Sequence, residues 1–163
     1  MSSTVASELP DLAAVLGRVL QLVPLERQPL LIATAERLAA DRYRAWANDP
    51  ACAPHRSRLL ACAAREEDIA GRVEALHPGA ADLQADLLRT HPDLEQINRE
   101  LFADRPLREQ LALQARGERL GAATWRAFAR HATDPSRAAV FVACAGLEEE
   151  SALVLESILG QAP

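Results

Sequence analysis

Four glutamates in this chain stand where a helix of a water-soluble protein ordinarily carries leucine. With about 100° of turn per residue, Glu36 shares its arc with Leu25, Ile32, Ala33, Ala40, Tyr43 and Ala47, and Glu118 shares its arc with Leu111, Ala115, Ala122, Trp125 and Ala129. Glu66 falls among Leu59, Cys62, Ala63, Ile69, Ala70 and Val73, and Glu148 among Phe141, Cys144, Ala145, Ser151, Ala152 and Leu155. The neighbouring acids Glu67, Glu74, Glu149 and Glu156 lie roughly a quarter turn away and read as boundary or surface residues. Removing an ionised carboxylate from water costs several kcal/mol, and four together also repel one another. No arginine shares these arcs; Arg37 and Arg42 lie on the opposite side of their helix. The carboxylates must then be protonated, hydrated in a wet cavity, or gathered round a cation. Two hard divalent ions bridged by carboxylates use all four.

The elements that carry these residues are written twice. Shifting the chain by 82 residues aligns 10–78 with 92–160 without a gap, and about 22 of the 69 pairs are identical. "ERLAADRYRAWA" at 36–47 meets "ERLGAATWRAFA" at 118–129, and "ACAAREEDIAGRVEAL" at 61–76 meets "ACAGLEEESALVLESI" at 143–158. Each copy reads as a short helix, a proline break at Pro24 or Pro106, a long helix, an Asp-Pro loop and a second long helix. The expected spans are 11–22, 25–48 and 57–77, then 92–104, 107–131 and 137–159. Residues 79–91 form a crossover connector, partly helical, and 1–9 a flexible N-terminus. The sum is one all-α domain over 1–163: a four-helix bundle of two duplicated helical hairpins, each preceded by a short helix. An array of two independent three-helix units is disfavoured, because an alanine-rich unit of about 80 residues has little core of its own.

Composition narrows the function classes. Apolar residues make up 49% of the chain and aromatics 4%, and alanine, leucine, arginine and glutamate dominate, which favours helix. A net charge of −5 without a basic stripe gives nucleic-acid binding no electrostatic support. No apolar run reaches the roughly 18 residues of a membrane helix, and "MSSTVASELP" lacks the basic start and apolar core of a signal peptide. Cys52, Cys62 and Cys144 fit neither a disulfide framework nor a CxxC metal site, so a reduced, cytoplasmic protein is expected.

The duplicated helices resemble the rubrerythrin branch of the ferritin-like superfamily. Its first-helix pattern G-E-x-x-A-x-x-x-Y-x-x-F-A is matched by "GERLGAATWRAFA" (117–129) except at Gly121 and Trp125, and by "AERLAADRYRAWA" (35–47) except at Ala35 and Trp46. The second-helix pattern F-x-x-x-A-x-x-E-x-x-H-A-x-x-L is echoed by "FVACAGLEEESALVL" (141–155) and "LLACAAREEDIAGRV" (59–73). The resemblance implies a di-iron or di-manganese centre held by Glu36, Glu66, Glu118 and Glu148. It also implies histidines at 69 and 151, where this chain has Ile69 and Ser151. None of His55, His77, His91 and His131 stands close enough to replace them. Cys62 and Cys144, one turn before Glu66 and Glu148, are candidate additional ligands, although a small buried cysteine packs equally well there. Tyr43 is a further candidate neighbour of the metals.

Two functional readings follow. In the first, the bundle keeps an atypical, histidine-free carboxylate site that binds Fe or Mn more weakly than a six-ligand set, with an oxygen- or peroxide-related role; its catalysis would be that of a di-metal oxidoreductase, though non-catalytic binding is the stronger expectation. In the second, a degenerate, metal-free bundle serves as an interaction or structural protein, as a homodimer or with another protein. The apolar residues Val142, Leu147, Leu153 and Val154, outside the core arc, give the second reading mild support, but the more economical expectation is that they lie under the short helices or the crossover. A third, a small-molecule pocket lined by the glutamates, is supported by no nucleophile–base pair or phosphate loop.

Overall fold

Helix starts in this protein follow local chemistry. The computed structural model describes residues 8–161, so most of the expected flexible N-terminus lies outside the described residues. Seven α-helices run in the order α1 (Leu12–Gln21), α2 (Gln28–Asn48), α3 (Arg56–Glu74), α4 (Ala80–Thr90), α5 (Leu94–Phe102), α6 (Leu107–His131) and α7 (Pro135–Gly160), with no strand among the described residues. Asp11 caps α1 by accepting from the Ala14 amide, and Asp134 caps α7 by accepting from Ser136. Pro106 precedes α6 and Pro135 opens α7, where a missing N–H leaves no helical bond unmade. Gly79, with φ of 71°, turns the chain into α4 through a conformation that costs other residues strain.

Three stretches differ from the expected spans, and the first is α3, expected to reach residue 77, which ends at Glu74. Residues Leu25–Arg27 form a short 3₁₀ turn and α2 begins only at Gln28, so Leu25 never joins the α2 stripe and is exposed. The connector, expected to be partly helical, holds a complete helix over 80–90.

The long helices pack in sequence-adjacent pairs, α2 along α3 and α6 along α7, and α3 lies against α7. Leu30 and Leu31 of α2 join a cluster with Val23, Leu87 and Leu94, while most apolar stripe residues of the long helices fall into two other core clusters. One gathers Tyr43, Trp46, Leu59, Cys62, Leu111 and Leu155; the other gathers Ile32, Ile69, Val73, Trp125, Phe141 and Cys144. Along every long helix the inward glutamate falls between the residues of these two clusters. A layer of carboxyl groups thus divides an otherwise apolar interior.

On the outside, arginines pair with the boundary glutamates at equivalent positions of both halves. Arg37 bonds Glu74 as Arg119 bonds Glu156, and Arg44 bonds Glu67 as Arg126 bonds Glu149. On α7, Val142 and Leu153 are 58% and 59% exposed, against the expectation that the short helices or the crossover cover them; Leu147 and Val154 are half-buried. No helix among the described residues is long and apolar enough to cross a membrane.

Candidate metal centre

All four inward glutamates are buried: Glu36 is 8% exposed, Glu66 0%, Glu118 1% and Glu148 2%. Oxygens of Glu36, Glu66 and Glu148 converge within 4.8 Å of one another. Glu118 stands beside this triad, near enough for its charge to act on Glu36, Glu66 and Glu148, but its Oε1 is drawn aside. Tyr43 donates to that oxygen at 2.6 Å and Gln114, one turn earlier on α6, at 2.7 Å. Trp125 Nε1 donates to Glu148 Oε1 at 2.9 Å, and Ser151 Oγ donates to Glu66 Oε1 at 3.3 Å. Glu66 Oε2 and Glu118 Oε2 are buried without any hydrogen-bond partner.

The electrostatics follow from crowding in a dry interior. Burial, and next the neighbouring charge of Glu118, raises the Glu36 pKa to about 7. Burial likewise pushes Glu66 and Glu148 well above the ordinary carboxylate range, with charge on Glu118 and Glu36 adding to the effect. Without a cation, protons are the charge balance available to this cluster.

Arg42 requires a correction to the sequence reading, which placed it on the far side of α2. Its backbone does lie there, but the long side chain reaches back. The guanidinium bonds Gln114 at 3.0 Å, also bonds Asn98, and sits 4.0 Å from the Phe102 ring centroid. From there its charge helps to stabilise ionised Glu36, and burial lowers its own pKa to about 10. Gln114 thus links the arginine to Glu118, accepting from one and donating to the other.

The remaining candidates behave differently. The two positions where the resembled pattern carries histidine lie inside: Ile69 belongs to the apolar core, whereas Ser151 supplies a hydroxyl to Glu66. Cys62 and Cys144 are buried, and no sulfur joins the converging triad. Burial raises the Cys62 thiol and pushes Cys144 up to about 12, so both remain protonated at neutral pH. Burial, then the charge of Glu118, raises the Tyr43 phenol well above its usual value. No imidazole joins the triad; His77, at the end of α3, bonds the Val73 carbonyl and Arg137.

Two residues of the site were not singled out from sequence. Gln114 stands on the Glu118 stripe four residues earlier, the spacing at which helical side chains meet. Gly121 departs from the alanine of the resembled pattern, and its counterpart in the first half is Ala39. A Cβ at 121 would lie 2.5 Å from Glu148 Oε1 and 2.7 Å from its Cδ, so the glycine makes room for this carboxyl against the α6 backbone.

Carboxylate oxygens are hard ligands, suited to Mg, Ca, Mn or ferrous iron rather than to copper or a structural zinc. Three converging carboxyls, one of them with an orphaned oxygen, and a second orphaned oxygen on Glu118 fit a cation of that kind. In comparisons with known proteins, no family model, no curated protein and no solved structure matches the chain.

Proposed function

We propose that this protein is a ferritin-like four-helix bundle of two duplicated hairpins, with a histidine-free carboxylate site that binds Fe or Mn. The observation that carries the reading is the pair of buried, unpartnered oxygens, one on Glu66 within the 4.8 Å triad and one on its neighbour Glu118. An oxygen lone pair left without a donor in a dry interior costs about 1–3 kcal/mol, and a cation would satisfy it. The 82-residue repeat, and outer ion pairs that recur at that offset, support the duplication. Glu36, Glu66 and Glu148 would hold the metal, with Glu118 completing the set once it turns from Tyr43 and Gln114. A redox metal there would supply one-electron chemistry toward oxygen or peroxide. Tyr43, Trp125 and Ser151 orient the carboxyls, and the apolar clusters on either side exclude water. With two imidazoles replaced, the site is weaker than the six-ligand centre of the resembled family, and binding without turnover is the reading for this chain.

Metal content of protein purified without chelator or affinity metal, by plasma mass spectrometry, tests this beside a Glu36→Ala/Glu118→Ala variant. Iron or manganese near stoichiometry in the parent and its loss in the variant are expected; metal-free parent protein would refute the reading. In that event a metal-free interaction or structural protein gains ground, because exposed Val142 and Leu153 offer α7 a surface for association, with a homodimer the simplest case.

A further inference from the structure

A cavity of about 190 Å³ opens between α1, α2, α5 and α6. Most of its wall is branched aliphatic, with Leu12 and Leu16 from α1, Leu31 from α2, and Leu113 and Leu120 from α6. An engineered cavity of about 150 Å³ with walls of this kind stays dry and takes up benzene. The wall has a polar part as well. Glu36 and Glu148 belong to it, as do Arg42 and Gln114. Glu36 is more than nine-tenths buried; its carboxyl meets those of Glu66 and Glu148, and among the described residues no N–H donates to it.

We propose that this cavity is a binding site for a small uncharged molecule of about phenol size, with its apolar body against the leucines and a single hydroxyl at Glu36. The volume sets the size. The leucine-lined part of the wall sets the lack of charge on the body it covers, since a charged group there would give up its hydration for side chains that cannot replace it. A hydroxyl suits Glu36 in either protonation state, because it donates to a carboxylate and accepts from a carboxylic acid. Gly117 lies in the same wall, and the nearest atom to a Cβ built there is Leu12 Cδ1 at 3.9 Å, so a larger residue at 117 would fill the space without meeting backbone. Binding needs no metal, and because Glu36 belongs to both sites it is tested on metal-free protein, where its outcome is independent of whether a cation binds.

The test is titration of chelator-treated, full-length protein with phenol and with benzene, followed through the amide resonances of Gly117 and Gly121 in ¹H–¹⁵N spectra. Saturable shifts with phenol are expected, and benzene should bind about fivefold more weakly because it lacks one hydrogen bond. Gly117→Leu, a change that favours helix, should weaken phenol binding about tenfold or more, read at Gly121, while the helical circular dichroism is kept. Absence of saturable shifts, benzene binding as tight as phenol binding, or unchanged affinity in a folded Gly117→Leu protein would each overturn the proposal.

Discussion

The same four long helices carry two sets of glutamates a quarter turn apart, and the sets live under opposite rules. Outside, Glu67, Glu74, Glu149 and Glu156 each meet an arginine, and the pKa values of Glu74 and Glu156 are lowered by their Arg37 and Arg119 partners. Inside, burial pushes up Glu36, Glu66 and Glu148, and the charge of Glu118 adds to the effect at all three. A chain rich in arginine could have supplied inner partners as readily as outer ones. Instead it places hydroxyl, indole and amide donors around the carboxyls, and Arg42 stops one residue short, bonded to Gln114. Such an arrangement orients oxygens without neutralising them, and it makes the inner set costly to the metal-free fold.

That contrast is most open to attack through pH. Each raised inner carboxyl holds its proton more tightly in the folded than in the unfolded chain. Folded protein therefore carries more protons between about pH 4.5 and 7, the window set by Glu36, and stability declines as pH rises through it. For Glu36 alone the loss is on the order of 3 kcal/mol, and Glu66 and Glu148 carry the decline to higher pH. Urea unfolding in chelator should give lower stability at pH 8 than at pH 5; the reverse order would mean that the inner set is compensated after all.

A smaller effect is expected at the donors. Tyr43→Phe removes one of the two hydrogen bonds to Glu118 Oε1 and should destabilise the protein by about 1–2 kcal/mol, again by urea unfolding. No loss would show that the tyrosine is packing only. The smallest effect belongs to the outer set. Arg119→Ala breaks an exposed pair with Glu156, and its thermal midpoint should stay close to the parent's, falling further behind at low salt than at high. A loss as large as that of Tyr43→Phe would erase the distinction between the two sets.

Much of this was legible in the sequence, for reasons that also explain what was not. Helical periodicity locates the Cα and Cβ of a residue, so Glu36, Glu66, Glu118 and Glu148 could be placed inside by counting, along with neighbours such as Ile69, Cys144 and Leu155. It does not locate the far end of a long side chain: the guanidinium of Arg42 reaches Gln114 from a Cα on the far side of α2. Periodicity also runs on past the true start of a helix, which is why Leu25 was counted into a stripe it does not join. The drawing aside of Glu118 depends on donors from two helices, Tyr43 on α2 and Gln114 on α6, a tertiary fact; only Gln114, four residues before Glu118, left a local sign. Gly121 left a different one, as a glycine where the repeat has Ala39.

The most direct test of a carboxylate layer kept for a cation is thermal unfolding at pH 8 with and without saturating Mn²⁺, for chelator-treated parent and Glu66→Gln/Glu148→Gln protein. Without metal the variant should unfold at the higher temperature, since it sheds two ionisable buried groups. Mn²⁺ at about a hundredfold excess over its Kd should raise the parent midpoint by roughly 5–10 °C and leave the variant unmoved. A parent indifferent to Mn²⁺, or a variant that gains as much, would contradict the account.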